Sequence, residues 1–292
     1  MVQLLDSWTQ PELPKKIGKY HVTRRLGRGS KGAVYGALDD LGRQVAIKVF
    51  TEDFFKQPGV TDRFVAEVRS AVAALGFHPN LRTVCDVGND GGNPYVVMEV
   101  GAIEGKPLGW IIRHEQLSLM DKLGIIVQVC AALIHARQRG IPHVDFNASP
   151  VAVLPGNHVK VLDFCVDRAL RSCGAPRGLI GFNPYWSPES YKSGDGLPVD
   201  ARSDVFSIGV SLYYLLTGKY PFGRPNPEAF HVWLHEPHAP LSASLTSYPT
   251  ALDTIVDRAL AKNPDDRYAT AEEFADDLRL VITELEKDPL RG

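Results

Sequence analysis

The spacing of hydrophobic residues changes once along this 292-residue chain, near residue 100, and that change limits the folds open to it. Before residue 100, short runs of β-branched and aromatic residues predict strands within residues 20–50 and at residues 95–98. Glycine and aspartate turns separate the runs within residues 20–50. Residues 62–75 interrupt this pattern with helical spacing, since Phe64 and Val68 can share one helix face. The first part of the chain is therefore predicted to be β-rich, with one helix inserted.

Beyond an expected loop over residues 101–109, the predicted elements are mainly long helices. Residues 118–139 and 270–284 each open on a capping box, and residues 203–216 form an apolar helix that ends at Gly218. We therefore predict an α+β fold, in which a β-rich part of about 100 residues precedes a mostly helical part.

The composition excludes several classes of partner and compartment. A formal net charge of -2 gives no reason to expect nucleic acid as a partner. The N-terminus has no positively charged start followed by an apolar stretch, so we expect no secretory signal. No run approaches ~18 apolar residues, so we expect no membrane span. The cysteines show no metal-ligand spacing and are interpreted as reduced thiols of a cytoplasmic protein; they are Cys85, Cys130, Cys165 and Cys173.

Three glycines and a lysine in the β-rich part indicate a phosphate site. Gly27, Gly29 and Gly32 lie where one strand turns into the next, and a glycine hairpin brings backbone N–H groups close to phosphates. An ordinary β-turn is the alternative. Lys48 lies on an apolar strand, where burial of its ammonium requires an anion. That anion could be a nucleotide phosphate or Glu67, although most helical glutamates are simply solvated.

Together with motifs further along the chain, these residues resemble a known family. The set comprises Gly27, Gly29, Gly32, Val34, Val45-Ala46-Ile47-Lys48, Glu67, Met98-Glu99, His143-Val144-Asp145, Asp163-Phe164, Ser187-Pro188-Glu189, Ser203-Asp204 and Arg267. In order and spacing it resembles the bacterial branch of the eukaryotic-like (Hanks-type) Ser/Thr protein kinases, over roughly residues 17–283. The resemblance implies a bilobal kinase-like fold with a β-rich N-lobe and a mostly helical C-lobe.

The resemblance also implies boundaries. We expect an N-terminal extension over residues 1–16 and a kinase-like domain over 17–283. Within that domain the N-lobe would cover about 17–100 and the C-lobe about 101–283. Residues 284–292 would then be a C-terminal tail.

Carried over position by position, the resemblance assigns roles to individual residues. Lys48 would hold the α- and β-phosphates of ATP and pair with Glu67. Asp163 would ligate magnesium, and Asp145 would accept the proton of the substrate hydroxyl, so the catalytic set is Asp145, Lys48 and Asp163. The implied ATP-binding positions are Gly27, Gly29, Gly32, Val34, Ala46, Lys48, Glu67, Met98, Glu99 and Gly101. Asp204 and the pair Glu189–Arg267 would be scaffold contacts.

After Asp145, the chain departs from the family pattern at two positions of the catalytic loop. Asn147 stands where the family has a lysine that neutralises the transferring phosphoryl group, and Pro150 stands where an asparagine would bind a second magnesium ion. Both losses reduce electrostatic stabilisation of the transition state. One Mg²⁺ ion is therefore expected, with Mn²⁺ as a possible substitute.

Other departures surround these two. Val144 replaces an arginine that usually receives an activation-loop phosphate, and Phe182 replaces a threonine that bonds the catalytic aspartate. Cys165 replaces the glycine after Phe164. With Cys173 it could form a redox switch, but a small buried replacement for glycine is the favoured interpretation.

Two functions from different classes follow. One is an ATP-binding Ser/Thr protein kinase that transfers the γ-phosphoryl group to protein hydroxyls with weakened catalysis. The other is a catalytically inactive pseudokinase that serves as a nucleotide-dependent scaffold for a protein partner. Transfer to a small non-protein alcohol is disfavoured by Ser187-Pro188-Glu189 and by residues 227–271, which resemble protein kinases.

Overall fold

The computed structural model of the chain describes residues 13–29, 32–50, 53–101, 105–141, 151–174, 183–191, 199–224 and 230–287. The chain divides into two compact units. Residues 1–65 and 84–100 form the first, here called the sheet unit, and residues 66–83 and 101–292 form the second, the helical unit. The division falls inside the first helix, after Val65.

The sheet unit is built on one antiparallel sheet with the strand order β1-β2-β3-β4-β6-β5. Its strands are β1 Lys16–Ile17, β2 Tyr20–Gly29, β3 Gly32–Leu38, β4 Gln44–Val49, β5 Val84–Asp90 and β6 Asn93–Glu99. In β4, both Ala46 and Ile47 are fully buried, although neighbouring side chains on a strand point to opposite faces. The central strand β4 is thus covered on both faces, as its β-branched sequence predicts.

Four phenylalanines fix the start of the first helix, α1 (Val60–Leu75), in the sheet unit. The rings of Phe50, Phe55 and Phe64 pack with centroids 5.2–5.8 Å apart, and Phe54 lies 5.2 Å from Phe55. Edge-on and tilted ring contacts of this kind stabilise the fold beyond the contribution of the buried apolar area. The hydroxyl of Thr61 donates to the Phe55 carbonyl at 3.0 Å and so holds the first turn.

The helical unit contains the longer helices and a small sheet. Its elements are β7 Lys106–Pro107, α2 Leu108–His114, α3 Leu119–Gln138, β8 Val151–Leu154, β9 His158–Val161, α4 Phe164–Ser172, α5 Pro188–Tyr191, α6 Ala201–Thr217, α7 Phe230–His235, α8 Ala251–Ala259 and α9 Ala271–Lys287. Strands β7, β8 and β9 form an antiparallel sheet. The expectation of a loop through residue 109 is wrong over 106–109, since β7 and the start of α2 lie there.

Helix α3 is the core of the helical unit. Eight of its residues are buried, and it packs against α6, α9 and β9. In the part of the chain that the structure describes, α3 is the one helix whose length and composition would also suit a membrane span. Its packing is that of a core helix. The hydroxyl of Ser118 accepts a hydrogen bond from the Asp121 backbone at its N-terminus, as the sequence predicts.

A buried ion pair joins α5 to the segment before α9. The guanidinium of Arg267 donates to both carboxylate oxygens of Glu189, at 2.6 and 2.9 Å, and the Ser203 hydroxyl adds a third bond at 2.6 Å. Burial alone would raise the pKa of Glu189, but these bonds outweigh it and hold the pKa below its ordinary value of 4.5. The stability that this shift contributes is therefore present above the unfolded pKa and is lost as the pH falls through the folded pKa.

Replacing Arg267 with leucine should lower the free energy of unfolding by about 3–5 kcal/mol, because the Glu189 carboxylate is then buried without its cation. Urea denaturation at pH 7 measures the difference. Arg279→Leu is the matched control: its ion pair with Asp276 is exposed, so the change should stay within about 0.5 kcal/mol. Equal effects of the two substitutions would contradict this account of the ion pair.

Candidate functional site

The sheet unit brings several of the predicted nucleotide-binding residues together through its strand register. Val34 on β3 lies opposite Lys48 on β4, and Ala46 on β4 lies opposite Met98 on β6. Glu99 pairs with Val45 at the end of the same ladder. Directly opposed residues on neighbouring strands have Cβ atoms about 4.5–5.5 Å apart. These side chains are therefore near neighbours on one sheet, although they come from separate parts of the chain.

Lys48 is buried on this sheet, with 8% of its surface exposed. Its Nζ lies 5.5 Å from the centroid of the Phe50 ring, two residues along on the same face. Burying an ammonium is costly unless the charge is compensated. The burial of Lys48 is as the sequence predicts, and its contact with an anionic ligand stays a prediction.

The glycine hairpin joins β2 to β3, and Gly29 pairs with Gly32 at its end. Gly32 has φ +136°, and a Cβ there would lie 1.9 Å from the carbonyl oxygen of Val49. A residue with a side chain is therefore excluded at Gly32. Gly27, by contrast, would have open space around an added Cβ. Residues 30 and 31, the tip of the hairpin, lie outside the described residues.

The remaining predicted residues with described positions lie in the helical unit. Glu67 is half-buried on α1, and Gly101 lies just after the end of the sheet unit. Because Lys48 belongs to the sheet unit and Glu67 to the helical unit, their ion pair stays a prediction. Asp204 is buried on α6.

Asp163 occupies a turn between β9 and α4. Its backbone has φ +52°, in the left-handed region, and α4 begins at the next residue, Phe164. Aspartate tolerates this conformation better than most residues with a side chain. The sequence pattern gave no indication of α4, and this helix is a feature that the analysis of motifs missed.

Cys165 lies inside α4 rather than in an open turn. Glycine in a helix interior costs about 1 kcal/mol relative to alanine, so the replacement of glycine by Cys165 favours the helix. Burial raises the pKa of the Cys165 thiol to about 11. Cys173 is also buried, and both cysteines are free thiols. This environment agrees with the interpretation of Cys165 as a small buried replacement for glycine.

The carboxylate of Asp163 faces an arginine that motif analysis did not single out. Nη1 of Arg82 lies 3.8 Å from Oδ1 of Asp163, and only 10% and 18% of the two side chains are exposed. The two residues are distant in sequence, and no local pattern marks Arg82. Its only sequence signal is a basic residue between Leu81 and Val84, next to a polar Thr83.

The described residues do not fit a metal-loaded site while the Arg82 guanidinium faces the Asp163 carboxylate. Mg²⁺ takes oxygen ligands in octahedral geometry, usually one or two carboxylates with water and phosphate oxygens. Among the described residues there is no cluster of three or more histidine, cysteine, aspartate or glutamate side chains that could hold a metal ion. The carboxylate that would bind it is paired with a guanidinium.

The catalytic-loop predictions fall in a part of the chain that is not described. Asp145, Val144, Asn147 and Pro150 lie within residues 142–150, and Phe182 lies within 175–182. The role of Asp145 and the consequences of its altered neighbours therefore remain predictions from the sequence.

Gly32→Ala should destabilise the sheet unit by at least about 1–3 kcal/mol, because the new Cβ meets a backbone carbonyl and the residue keeps a positive φ. Gly27→Ala is the control and should change stability by less than about 0.5 kcal/mol, since its Cβ meets nothing within 4 Å. Chemical denaturation of both variants tests the pair. A Gly32→Ala protein as stable as the control would show that the hairpin adopts another conformation.

Known proteins similar to this chain are bacterial kinases. A family model described as the protein kinase domain matches residues 20–278. The chain is 37% identical over 271 residues to serine/threonine-protein kinase PknB of Mycolicibacterium smegmatis, which covers 89% of this chain and 42% of that protein. It is 34% identical over 288 residues to serine/threonine-protein kinase Pkn1 of Myxococcus xanthus, covering 94% of this chain and 40% of that protein.

Solved structures give the same result for the fold. The kinase domain of Mycobacterium tuberculosis PknI matches with a TM-score of 0.70 and 27% identity, covering 91% of this chain and 97% of that one. The predicted fold class, with a β-rich N-lobe and a mostly helical C-lobe, is confirmed. The chain spans about two fifths of the length of the curated relatives named here.

Proposed function

This chain belongs to the protein kinase domain family, in its bacterial Hanks-type Ser/Thr branch, and we propose that it binds ATP but transfers the γ-phosphoryl group weakly. The family uses ATP and a divalent metal to phosphorylate proteins. The observation that carries nucleotide binding is the buried Lys48 on β4, opposite Val34 and close to the glycine hairpin. A cation placed there suits the α- and β-phosphates.

The other nucleotide contacts of the proposal follow the family positions. Ala46 and Met98, opposed on β4 and β6, would border the adenine, and Glu99 with Gly101 would offer backbone groups to its edge. Glu67 would pair with Lys48, and Gly27, Gly29 and Gly32 would cover the phosphates. Asp163 is the family's metal-binding position, and Asp145 the position of its catalytic base.

Weak transfer follows from the residues after Asp145. Removing one preorganised electrostatic contact lowers a rate by about 10²–10³. Asn147 and Pro150 each remove one, which would take a typical kinase rate of about 1–100 s⁻¹ to roughly 10⁻⁶–10⁻² s⁻¹. When two groups act together in catalysis, the effects of removing them are not additive in free energy. We therefore expect the combined loss of rate to be smaller than the two separate losses multiplied.

A specific observation favours the second candidate function, a pseudokinase that binds nucleotide and presents a protein surface. Arg82 pairs with Asp163, and α4 starts directly after it. A transferring kinase would need one Mg²⁺ or Mn²⁺ ion at Asp163 in competition with Arg82. A nucleotide-binding scaffold would not need that exchange.

The substrate or partner of the chain is proposed to be a protein. Ser187-Pro188-Glu189 supports this, since Glu189 forms with Arg267 the buried ion pair expected for a protein kinase. We further propose that the domain acts in the cytoplasm, where ATP is abundant and its four free cysteines stay reduced. We propose no nucleic-acid partner, because a net charge of -2 gives the chain no excess of positive charge.

ATP with Mg²⁺ should raise the melting temperature of the wild-type protein. At about a hundredfold excess over its dissociation constant, a ligand adds about 2.7 kcal/mol, or roughly 5–10 °C for a domain of this size. Lys48→Met should reduce the shift strongly, whereas Lys56→Met, a change of an exposed lysine, should leave it intact. An undiminished shift in Lys48→Met would mean that nucleotide binds elsewhere, and no shift in wild type would refute binding.

Radiolabelled ATP distinguishes the two candidate functions. Autophosphorylation and labelling of a generic protein substrate are measured in Mg²⁺ and in Mn²⁺, with Asp145→Asn and Asp163→Ala as controls for contaminating kinases. Slow labelling that both substitutions abolish identifies an enzyme with a rebuilt transfer site. Absence of label, together with a measurable ATP-induced thermal shift, identifies a pseudokinase. Labelling at an ordinary kinase rate would refute the proposed weakness of transfer.

A further inference from the structure

The ion pair between Arg82 and Asp163 stands where the family places a metal ion. Arginine carries its charge at every physiological pH, and its guanidinium is an intramolecular cation that no chelator removes. We propose that Arg82 takes the place of the divalent metal at Asp163, so that this chain binds nucleotide without needing a metal ion. The inference rests on the proposed function, since it concerns how the same nucleotide is held.

The backbone on the Arg82 side is fixed by the small sheet of the helical unit. The N–H of Arg82 donates to the Val161 carbonyl at 2.9 Å, and the N–H of Val161 donates to the Asn80 carbonyl at 2.8 Å. Leu81 forms a parallel bridge with Val161. Residues 80–82 therefore run beside β9, which ends two residues before Asp163. Main-chain pairing thus places the backbone of Arg82 beside the end of β9, within side-chain reach of Asp163.

Side chains reinforce this placement. The Asn80 amide donates to the Val159 carbonyl at 3.0 Å and to the Gln128 side chain at 3.1 Å. Gln128 in turn accepts from the Val159 N–H at 3.0 Å. Helix α3, through Gln128, thus holds both Asn80 and β9. Supporting hydrogen bonds of this kind help a backbone segment to keep its geometry when a ligand binds.

The Asp163 side of the pair is equally constrained. The positive φ of Asp163 ends β9, and Phe164, Cys165 and Val166 bury the first turn of α4 directly after it. This turn fixes the backbone from which the carboxylate reaches Arg82. At the same time Pro150 stands where the family has its second metal ligand, so a metal that displaced Arg82 would lack that oxygen.

Electrostatics connects the pair to nucleotide binding. An unpaired carboxylate at the family's metal position would repel the phosphates of ATP, and in a metal-dependent kinase the bridging cation removes that repulsion. Arg82 removes it from within the chain. With both side chains largely buried, the pair is screened little by salt. Metal-free ATP would therefore meet a neutral pair instead of a negative charge.

The competing interpretation is that Arg82 makes a structural ion pair only, which the metal–nucleotide complex opens as it binds. The two interpretations differ in the effect of metal on nucleotide affinity. If the pair opens, Mg²⁺ increases the affinity of the wild-type protein. If Arg82 substitutes for the metal, Mg²⁺ leaves the affinity unchanged or lowers it.

The experiment titrates a fluorescent ATP analogue into the wild-type chain, in Mg²⁺ and in EDTA. We expect dissociation constants that agree within about twofold in the two conditions, or weaker binding in Mg²⁺. Affinity about tenfold or more greater in Mg²⁺ would overturn the inference while leaving the proposed function intact. No binding in either condition would instead refute the proposed function. The comparison needs no substitution, so it does not depend on a variant folding.

Arg82→Leu supplies the converse result. It removes the internal cation, so affinity in EDTA should fall and Mg²⁺ should now increase affinity about tenfold or more, a coupling typical of two ligands at one site. Arg113→Leu, a change of an exposed arginine on α2, is the matched control and should behave as wild type. A metal effect in Arg82→Leu equal to that of wild type would count against the inference.

Mn²⁺ provides a readout that does not depend on affinity or activity. Water-proton relaxation reports Mn²⁺ held on a slowly tumbling protein. Per bound nucleotide, Arg82→Leu should show the larger relaxation enhancement, because Asp163 then also holds the ion, whereas in the wild type the ion is carried by the nucleotide alone. Enhancement of equal size in the wild type would show that the metal binds beside Arg82 and would overturn the inference.

Discussion

Charge buried away from water has to be compensated inside the protein, and this requirement shapes both units. Arg267 donates two hydrogen bonds to the Glu189 carboxylate, and Ser203 donates a third. The pair therefore links α5 firmly to the segment before α9 in the helical unit. Arg82 and Asp163 are compensated at a longer distance, 3.8 Å. Lys48 is buried on a strand whose neighbours are apolar, and the proposed contact with nucleotide phosphates would compensate its charge. The first pair stabilises the fold, and the proposed nucleotide binding rests on the other three residues.

The altered residues around the chemistry change the same charge balance in opposite directions. By the family pattern, Asn147 would remove a positive charge near the transferring phosphoryl group, and Pro150 would remove a metal ligand. Arg82 would add a positive charge at the proposed metal position, Asp163. Together these changes would favour holding a polyphosphate in its ground state over stabilising the charge that develops during transfer. Only stabilisation that is stronger in the transition state accelerates a reaction.

The general fold could be predicted because its signals are local. The β-branched run of β4 marks a strand, and the main helices start at residues that cap them, such as Ser118. Asp200, the residue that caps α6, was not singled out, although it forms a capping box with Ser203. Helix α4 could not be found from motifs, because the family pattern draws attention to a turn at Asp163-Phe164-Cys165 rather than to the helical spacing beyond it.

The candidate site was predictable only where it follows the family motif. Lys48, Ala46, Met98 and Glu99 are joined by a strand register that motif spacing implies. Arg82 belongs to no motif and meets Asp163 through the pairing of residues 80–82 with β9, a long-range contact that periodicity cannot show. Asp145 lies outside the described residues, so its role still rests on the sequence alone.

The replacement of glycine by Cys165 links the helix to the ion pair. A glycine after Phe164 would leave the backbone free to leave the helical conformation, whereas Cys165 is fully compatible with α4 and buries its side chain there. Because α4 starts directly after Asp163, interactions that stabilise its first turn also fix the backbone that carries the carboxylate facing Arg82. Metal binding at Asp163 would have to compete with that guanidinium. The substitution at Cys165 and the arginine at position 82 act together on one carboxylate, although the chain separates them by about eighty residues.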